Sequence, residues 1–249
     1  MKRTAPFLIL LLVLTSCKNM PLGIKAVDGK QISIEDTLKG NENLDEFIAP
    51  YKKHIDREMD SILSYSPSAL SKTDTRYNTA IGNMEADAVM ELANPIFKAR
   101  KDKNIDAVLL NYGGIRSTLP KGNITMRNAY ELMPFENSLV VVELSGTKIK
   151  EMFDYLKGGT AHPISGMQLK LSATGDIAEE KIRGKPVDTS ATYYIATNDY
   201  LYTGGDNMVF FKNPVSITYL DYKIRNVLID YFAKMDTIAP VYDDRFIKE

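Results

Sequence analysis

One stretch of the chain joins an apolar run to a glycine pair and an arginine: Ile105-Asp106-Ala107-Val108-Leu109-Leu110-Asn111-Tyr112-Gly113-Gly114-Ile115-Arg116. Its first six residues form a short apolar run, which predicts a buried strand. The paired glycines that follow allow backbone conformations closed to other residues and let a ligand approach main-chain N–H groups closely. The arginine carries a planar set of donors that suits an anion. Two interpretations fit: an anion-binding loop, or a tight turn with a solvated arginine.

Helices and strands are interleaved irregularly around this stretch. Apolar residues recur at helical spacing in three segments, and the first helix is expected to pack its apolar face on a core. No G-x-G-x-x-G motif, P-loop or internal repeat is present. The pattern predicts an α+β fold with mixed β-sheets and packed helices. The predicted helices cover Leu44–Leu63, Ile81–Phe97 and Thr147–Leu156, the further strands cover Ser138–Leu144, Gly166–Leu171 and Thr192–Thr197, and Val215–Met235 begins as a strand and ends as a helix.

Composition and charge exclude several classes of protein. The 249 residues are 44% hydrophobic, which is enough for a core and excludes disorder as the main state. The net charge of −1 lacks the cationic excess that nucleic-acid binding relies on, so no nucleic acid partner is expected. One cysteine and two histidines exclude a disulfide framework and a Cys-rich zinc site, and no metal site is predicted in this chain.

The first seventeen residues have the features of a bacterial lipoprotein signal peptide. Lys2 and Arg3 precede the apolar run Ala5–Val13, which is too short for a stable membrane anchor. Leu14-Thr15-Ser16-Cys17 resembles a lipobox, which implies lipidation of Cys17; the alternative is an ordinary secretory signal in which this cysteine is incidental. We therefore expect an exported, lipid-anchored protein of the bacterial cell envelope. Its signal peptide is predicted over 1–17, a tether with a short strand at Lys30–Ile34 over 18–43, and the folded domain over 44–249.

Two further segments are candidates for binding. In Tyr200-Leu201-Tyr202-Thr203-Gly204-Gly205-Asp206, a glycine pair follows aromatic residues, and the aspartate offers two acceptor oxygens to vicinal hydroxyls. A glycine turn with core aromatics explains the same residues. In Met133-Pro134-Phe135, the ring either packs inward, which the residues alone favour, or faces a cleft.

Together these segments resemble the C-terminal domain of the 5′-nucleotidase family, which includes UDP-sugar hydrolases and related periplasmic nucleotide phosphatases. Asn111–Arg116 resembles the family's N-G-G-G-I-R motif. Six such motifs occur in the family's order over roughly residues 73–220. The other five are Ile81-Gly82-Asn83-Met84 with Asp87-Ala88, Leu132-Met133-Pro134-Phe135, Val142-Glu143-Leu144-Ser145-Gly146, Ile164-Ser165-Gly166-Met167 and Tyr200–Asp206.

The resemblance implies a nucleotide-binding domain in which two aromatic rings hold the base. Tyr112 departs from the family's triple glycine, which puts the width of the pocket in doubt, and Asn207 replaces a glycine after the loop aspartate. By resemblance, Phe135 and Tyr200 stack on the base, Arg116 contacts phosphate, Asn111 the nucleoside and Asp206 the ribose hydroxyls, Gly113 and Gly114 belong to the binding loop, and Arg76 is a second phosphate-side arginine.

Full-length members also carry a metallophosphoesterase domain whose divalent metals activate water, and that site needs several histidines. This chain has only His54 and His162, for both of which a surface position is favoured. We therefore expect no catalytic residues and no cofactor in this chain, and divalent metals in a separately encoded metallophosphoesterase subunit. The chain would be the nucleotide-binding half of a split 5′-nucleotidase, inactive alone.

Two alternatives to the split enzyme remain. One is a non-catalytic envelope lipoprotein that binds nucleotides or nucleosides. The other is a structural protein with a decayed pocket, which the joint presence of Arg116, Phe135, Tyr200 and Asp206 disfavours.

Overall fold

The computed structural model describes residues 23–35 and 37–249. The predicted signal peptide and Cys17 lie outside the described residues. The chain divides into two compact units between Ile48 and Ala49, and each is described by itself. In the first unit, the strand predicted at Lys30–Ile34 is wrong: this segment has neither helix nor strand, and its side chains are exposed. An alternating pattern makes a strand only where a second strand pairs with it.

Six α-helices and eleven strands form the described part of the chain. The helices are α1 (Glu42–Met59), α2 (Ala80–Lys101), α3 (Met126–Leu132), α4 (Gly146–Leu156), α5 (Asp199–Tyr202) and α6 (Ile224–Lys234). The strands are β1 (Ile62–Ser66), β2 (Ala107–Leu109), β3 (Gly122–Thr125), β4 (Ser138–Ser145), β5 (Ile164–Ser165), β6 (Met167–Leu171), β7 (Ile177–Ile182), β8 (Lys185–Pro186), β9 (Thr192–Asn198), β10 (Ser216–Lys223) and β11 (Phe246–Lys248).

Helix α1 confirms the predicted helix but not its predicted packing. None of its residues is buried, and Phe47 and Tyr51 are 66% and 63% exposed. The 3.6-residue period identifies a helix, but it does not identify a surface that covers the apolar stripe. Ile62 and Leu63, assigned to the same helix from the sequence, belong instead to β1, where Ile62 pairs with Thr125 of β3. Pairing across the sheet overrides their helical spacing.

A five-stranded mixed sheet forms the centre of the second unit. Its order is β10-β4-β9-β2-β5; β9 and β2 run parallel, and the other neighbours run antiparallel. Val108 and Leu110 pack into one apolar cluster with residues of α2 and α6, whereas Ala107 and Leu109 pack into a second cluster with residues of α4 and β6. Successive side chains of a strand face opposite sides, so this continuous apolar run buries both faces of the sheet. The predicted α+β class is confirmed.

The C-terminal segment closes a second, four-stranded sheet of order β11-β6-β7-β8. Strand β11 lies parallel to β6. Just before it, the guanidinium of Arg245 donates to both carboxylate oxygens of Asp87 on α2, each at 2.9 Å, and to Asp243. These bonds fasten the C-terminal segment to α2. No helix in the described part of the chain combines the length and the apolar character needed to cross a bilayer.

Candidate functional site

The candidate site lies where the parallel strands β2 and β9 end at the same edge of the central sheet. Asn111 follows β2, and Asn198 ends β9. The Asn198 side chain donates from Nδ2 to Oδ1 of Asn111 at 3.1 Å and accepts from the N–H of Leu201 at 2.8 Å. One asparagine therefore caps α5 and ties the two loops together. Sequence reasoning missed Asn198, although an asparagine directly before a short helix is an N-cap signal.

A cleft of about 300 Å³ opens between these loops and the segment before β4. This volume is at the lower end of the range for small-molecule sites. Six residues predicted to bind substrate share the cleft, and Asn137, which sequence reasoning missed, joins them. The lining residues are Asn111, Gly113, Arg116, Phe135, Asn137, Tyr200 and Asp206. The structure thus brings these residues together in one cleft, while their roles in binding stay predictions.

The glycine pair after β2 lies in a 3₁₀ turn, Tyr112–Gly114, rather than in a left-handed conformation. The expectation that these glycines supply a special backbone conformation is therefore wrong. Space is the reason at Gly114, where an added Cβ would lie 3.0 Å from Cε of Met133 and 3.3 Å from Oδ1 of Asn111. Gly114 lets the buried Asn111 side chain fold over the turn, while Gly113 borders the cleft.

Two cations lie side by side at the loop that follows β2, and one of them, Arg116, lines the cleft. Arg116 donates to the carbonyl of Gly113 at 3.2 Å. Lys72 donates to the carbonyl of Ile115 at 2.6 Å, and its Nζ lies 4.5 Å from the ring centroid of Tyr112. Burial, and then the charge of Arg116, lower the pKa of Lys72. Neighbouring cations favour an anion, and no sequence motif marked Lys72 as one of them.

Tyr112 does not narrow the cleft as its replacement of glycine suggested. Its ring contacts Lys72, and it is not among the residues that line the cleft.

Phe135 presents its ring to the cleft and is 41% exposed. The inward packing that the residues alone favoured is wrong for this ring, because Met133, two positions earlier, takes the buried place. The Arg116 guanidinium lies 5.7 Å from the Phe135 ring centroid, which is within cation–π range. The family resemblance, rather than the local pattern, predicted the orientation of this ring.

A buried arginine holds the segment that carries Phe135. Arg225 of α6 donates to the carbonyl of Pro134 at 3.2 Å and pairs with Glu136, and its guanidinium lies 4.2 Å from the ring of Tyr130. Hydrogen bonds from Lys223 and from this arginine lower the pKa of Glu136 to about 2. The carboxylate is therefore ionised at neutral pH, and the segment stays fastened to α6.

The loop after α5 brings Asp206 back against Tyr200, which lies in that helix. The Tyr200 hydroxyl donates to Oδ1 of Asp206 at 2.8 Å. Gly204 has φ of +101°, which favours glycine, and a Cβ at Gly205 would lie 2.5 Å from atoms of the Tyr200 ring. Both glycines are therefore needed, one for its backbone conformation and one for the space beside the ring.

Tyr155 and His162 link the loop that follows β2 to the loop that follows α5. Tyr155 donates from its hydroxyl to the carbonyl of Asp206 at 2.9 Å, and its ring centroid lies 5.6 Å from that of His162. His162 accepts at Nδ1 from the N–H of Tyr112 at 3.1 Å. The predicted surface position for His162 is wrong, because it is only 7% exposed. Burial lowers its pKa, which favours the neutral ring that can accept this bond.

Arg76 does not join the cleft. It lies exposed over the ring of Tyr77, with its guanidinium 5.5 Å from the ring centroid, and borders a separate depression with Tyr242 and Lys248. Its role as a second phosphate-side arginine is not supported by this position. The segment before α2 turns Arg76 toward the C-terminal sheet and brings Lys72 to the cleft loop instead.

The residues present do not fit a two-metal hydrolytic centre. In residues 23–35 and 37–249, no group of three or more His, Cys, Asp or Glu could hold a metal ion. His162 is buried and already bonds to the backbone through Nδ1. The cleft and the loop beside it provide hydrogen-bond donors, two cations, two rings and one carboxylate. Such groups can bind a ligand.

The motifs and the cleft agree with a family model. The model described as "5'-nucleotidase, C-terminal domain" matches residues 62–213, more than half of the chain. The chain belongs to this family. The resemblance found from the sequence motifs is thus confirmed, and all seven residues that line the cleft lie inside the matched range.

Three similar proteins illustrate how the domain occurs elsewhere. The trifunctional nucleotide phosphoesterase protein YfkN of Bacillus subtilis is 26% identical over 81% of this chain and 15% of its own length. The cell wall protein Lmo0130 of Listeria monocytogenes is 34% identical over 57% of this chain and 19% of its own. The crystal structure of a 5'-nucleotidase precursor from Thermus thermophilus superposes with a TM-score of 0.69 at 22% identity, covering 82% of this chain and 42% of that one. The chain thus spans less than half the length of each of these relatives.

Proposed function

We propose that this chain is the nucleotide-binding half of a split 5′-nucleotidase, which positions nucleotides for phosphate-ester hydrolysis by a separate metallophosphoesterase chain. The observation that carries the proposal is the single cleft that collects Arg116, Phe135, Tyr200 and Asp206. These four side chains match what a nucleotide offers: two rings for the base, a guanidinium for phosphate and a carboxylate for ribose hydroxyls.

The groups that line the cleft suit the separate parts of a mononucleotide. The phosphate would lie near Arg116, beside which Lys72 lies, and Asn111 would contact the nucleoside. The base would lie against the rings of Phe135 and Tyr200, where stacking is typically worth ~1–3 kcal/mol. Contacts to base and ribose would hold the phosphate in place for a reaction at a neighbouring centre, which is how remote binding energy serves catalysis.

The hydrolytic centre is assigned to another chain because of the histidine content. Two histidines in 249 residues do not supply a dimetal site of this class. YfkN, a similar protein of which the matched region is 15%, is named a nucleotide phosphoesterase. In the split enzyme, the divalent metals and the activated water belong to the partner subunit, and this chain contributes no catalytic residue.

Reconstitution tests this proposal. We expect the purified chain alone to release no phosphate from AMP. Mixing it with a metallophosphoesterase encoded beside it should restore phosphate release that depends on a divalent metal. The Arg116→Ala variant should bind AMP more weakly and restore less. Tight AMP binding without restored hydrolysis by any such mixture would instead indicate a nucleotide-capturing lipoprotein.

We further propose that the protein is exported and held to the bacterial cell envelope by a lipid on Cys17. The lipobox-like Leu14–Cys17 supports this, as does the similarity to a relative named as a cell wall protein. Acyl chains bind a membrane by burying CH₂ groups at ~0.8 kcal/mol each. Labelling with a fatty-acid analogue should mark the wild-type chain and not Cys17→Ala, which should leave the membrane fraction. Equal fractionation of the two chains would exclude the anchor.

A further inference from the structure

The Tyr200 hydroxyl makes two hydrogen bonds to a single neighbour. It donates to Oδ1 of Asp206 at 2.8 Å and accepts from the N–H of the same residue at 3.3 Å. The carboxylate bond raises the pKa of Tyr200, so the hydroxyl keeps its proton at neutral pH. Phenylalanine, the residue usual in the family at this position, would provide the ring face and neither of these bonds.

Tyr155 holds the carbonyl of Asp206, but Tyr200 is the only hydrogen-bond donor to its carboxylate among the described residues. Asp206 is partly buried, has φ of 51°, and lies in the 3₁₀ turn Gly205–Asn207, which begins at the second of two glycines. Its Oδ2 accepts no hydrogen bond from any residue that the structure describes. A carboxylate in such a loop samples several rotamers unless a side chain fixes it.

We propose that Tyr200 is a positioning residue whose hydroxyl fixes the Asp206 carboxylate for the vicinal hydroxyls of a ribose, and so makes the cleft selective for nucleotides that carry a 2′,3′-diol. This inference rests on the proposed function and names the ribose diol as the part of the substrate that the cleft recognises. One residue then has two separable roles: its ring contacts the base, and its hydroxyl orients the group that contacts the sugar.

The remaining hydrogen-bonding capacity fits two adjacent hydroxyl donors. A carboxylate has about four lone-pair sites, and the tyrosine hydroxyl uses one of them on Oδ1. Asp206 lines the cleft, its Oδ2 accepts no hydrogen bond from any described residue, and one further site on Oδ1 remains. Two hydroxyls on neighbouring carbons can donate to these sites together. Because the Tyr200 hydroxyl orders the carboxylate before binding, the ligand does not bear that ordering cost.

The test compares two ligands that differ only in the diol. Calorimetry would measure the dissociation constants of AMP and of 2′,3′-dideoxy-AMP for the full chain and for Tyr200→Phe. The phenylalanine keeps a ring and removes only the hydroxyl. We expect the preference for AMP over the dideoxy ligand to fall ~3- to 10-fold in this variant. Tyr202→Phe is the matched control, because it removes a hydroxyl from the same short helix outside the cleft, and its preference should stay at the wild-type value.

A second variant checks that the effect passes through the carboxylate. Asp206→Asn should lower the preference for AMP, and adding Tyr200→Phe to it should lower the preference no further. An unchanged or increased preference in Tyr200→Phe overturns the inference while AMP binding itself upholds the proposed function. If the wild-type chain binds neither ligand, the proposed function and the inference both fail.

Discussion

At the scale of single residues, the two rings of the cleft are held by different means. Tyr200 is fixed by Asp206, and Phe135 lies on a segment fastened to α6 through Arg225. Both rings remain more than two-fifths exposed, so each keeps a face for stacking. We predict that Phe135→Ala and Tyr200→Ala each weaken adenosine binding by ~1–3 kcal/mol, measured by calorimetry.

Tyr219→Ala provides the control for these two variants. Tyr219 is about half exposed on β10 and does not line the cleft, so its removal should leave adenosine affinity unchanged. Neutral results for both cleft rings would show that the nucleoside binds elsewhere.

The carboxyl group of Glu85 is a second residue-scale feature with a measurable effect. It lies on α2, fully buried, and both of its oxygens lack a hydrogen-bond partner in the described part of the chain. Burial raises its pKa from 4.5 to about 8. Since the unfolded chain releases this proton near pH 4.5 and the folded chain near pH 8, stability from the protonated group is complete below pH 4.5 and is lost as pH rises to 8.

We therefore predict that Glu85→Gln becomes progressively more stable than the wild type as the pH rises. Glutamine keeps the size and carries no proton to lose, so the difference in unfolding free energy should grow by up to about 1.4 kcal/mol per pH unit between the two pKa values. Urea unfolding at pH 5, 6.5 and 8 would measure it. A difference that does not change with pH would mean that Glu85 is not held as the neutral acid.

At the scale of secondary-structure elements, the sequence predicted the strands that are buried on both faces of the central sheet. It missed strands that form only by pairing with a distant segment. The strands β2, β4 and β9 were predicted because the central sheet is covered on both faces: β2 and β4 carry apolar runs, and β9 is rich in aromatic and β-branched residues. The two-stranded pair β1–β3 and the largely exposed β7 carry no such run. Their formation depends on pairing with distant segments, which a local pattern does not encode.

The attachment of the C-terminal segment is the clearest element-scale interaction to test. Arg245 is largely buried and forms a bidentate ion pair with Asp87. The same guanidinium also pairs with Asp243. We predict that Arg245→Ala lowers the unfolding free energy by about 1–3 kcal/mol, because it removes charge-assisted hydrogen bonds to two carboxylates that water partly screens. Chemical denaturation would measure this loss.

Two further variants define the cause of that loss. Arg245→Lys keeps the charge but not the planar fork, so it should recover only part of the stability. Lys248→Ala, at the exposed end of β11, should cost less than about 0.5 kcal/mol. If lysine restores full stability, charge alone fastens the segment and the two-pronged geometry is unimportant.

At the scale of the whole molecule, the cleft combines segments that are distant in sequence. The family resemblance predicted six of the lining residues, because each motif that carries them is one continuous stretch of sequence. Asn137, which lines the cleft, and Lys72 and Asn198, which bond to its loops, were missed because their places follow from packing. The loop before α2, the segment before β4 and the end of β9 meet only in the folded domain. The position of Arg76 away from the cleft has the same reason, since nearness in sequence to a motif does not fix where a side chain lies.

Because all seven lining residues fall between Asn111 and Asp206, nucleotide binding should belong to the folded domain alone. We predict that deleting residues 1–41, which keeps α1 whole, leaves the dissociation constant for AMP within about twofold of that of the full chain. AMP at 100 times this constant should stabilise either chain by about 2.7 kcal/mol, which raises Tm by roughly 5–10 °C for a domain of this size. Phe135→Ala in the shortened chain should reduce the rise at the same AMP concentration. A shortened chain that folds but shows no rise would place part of the binding site in the N-terminal unit.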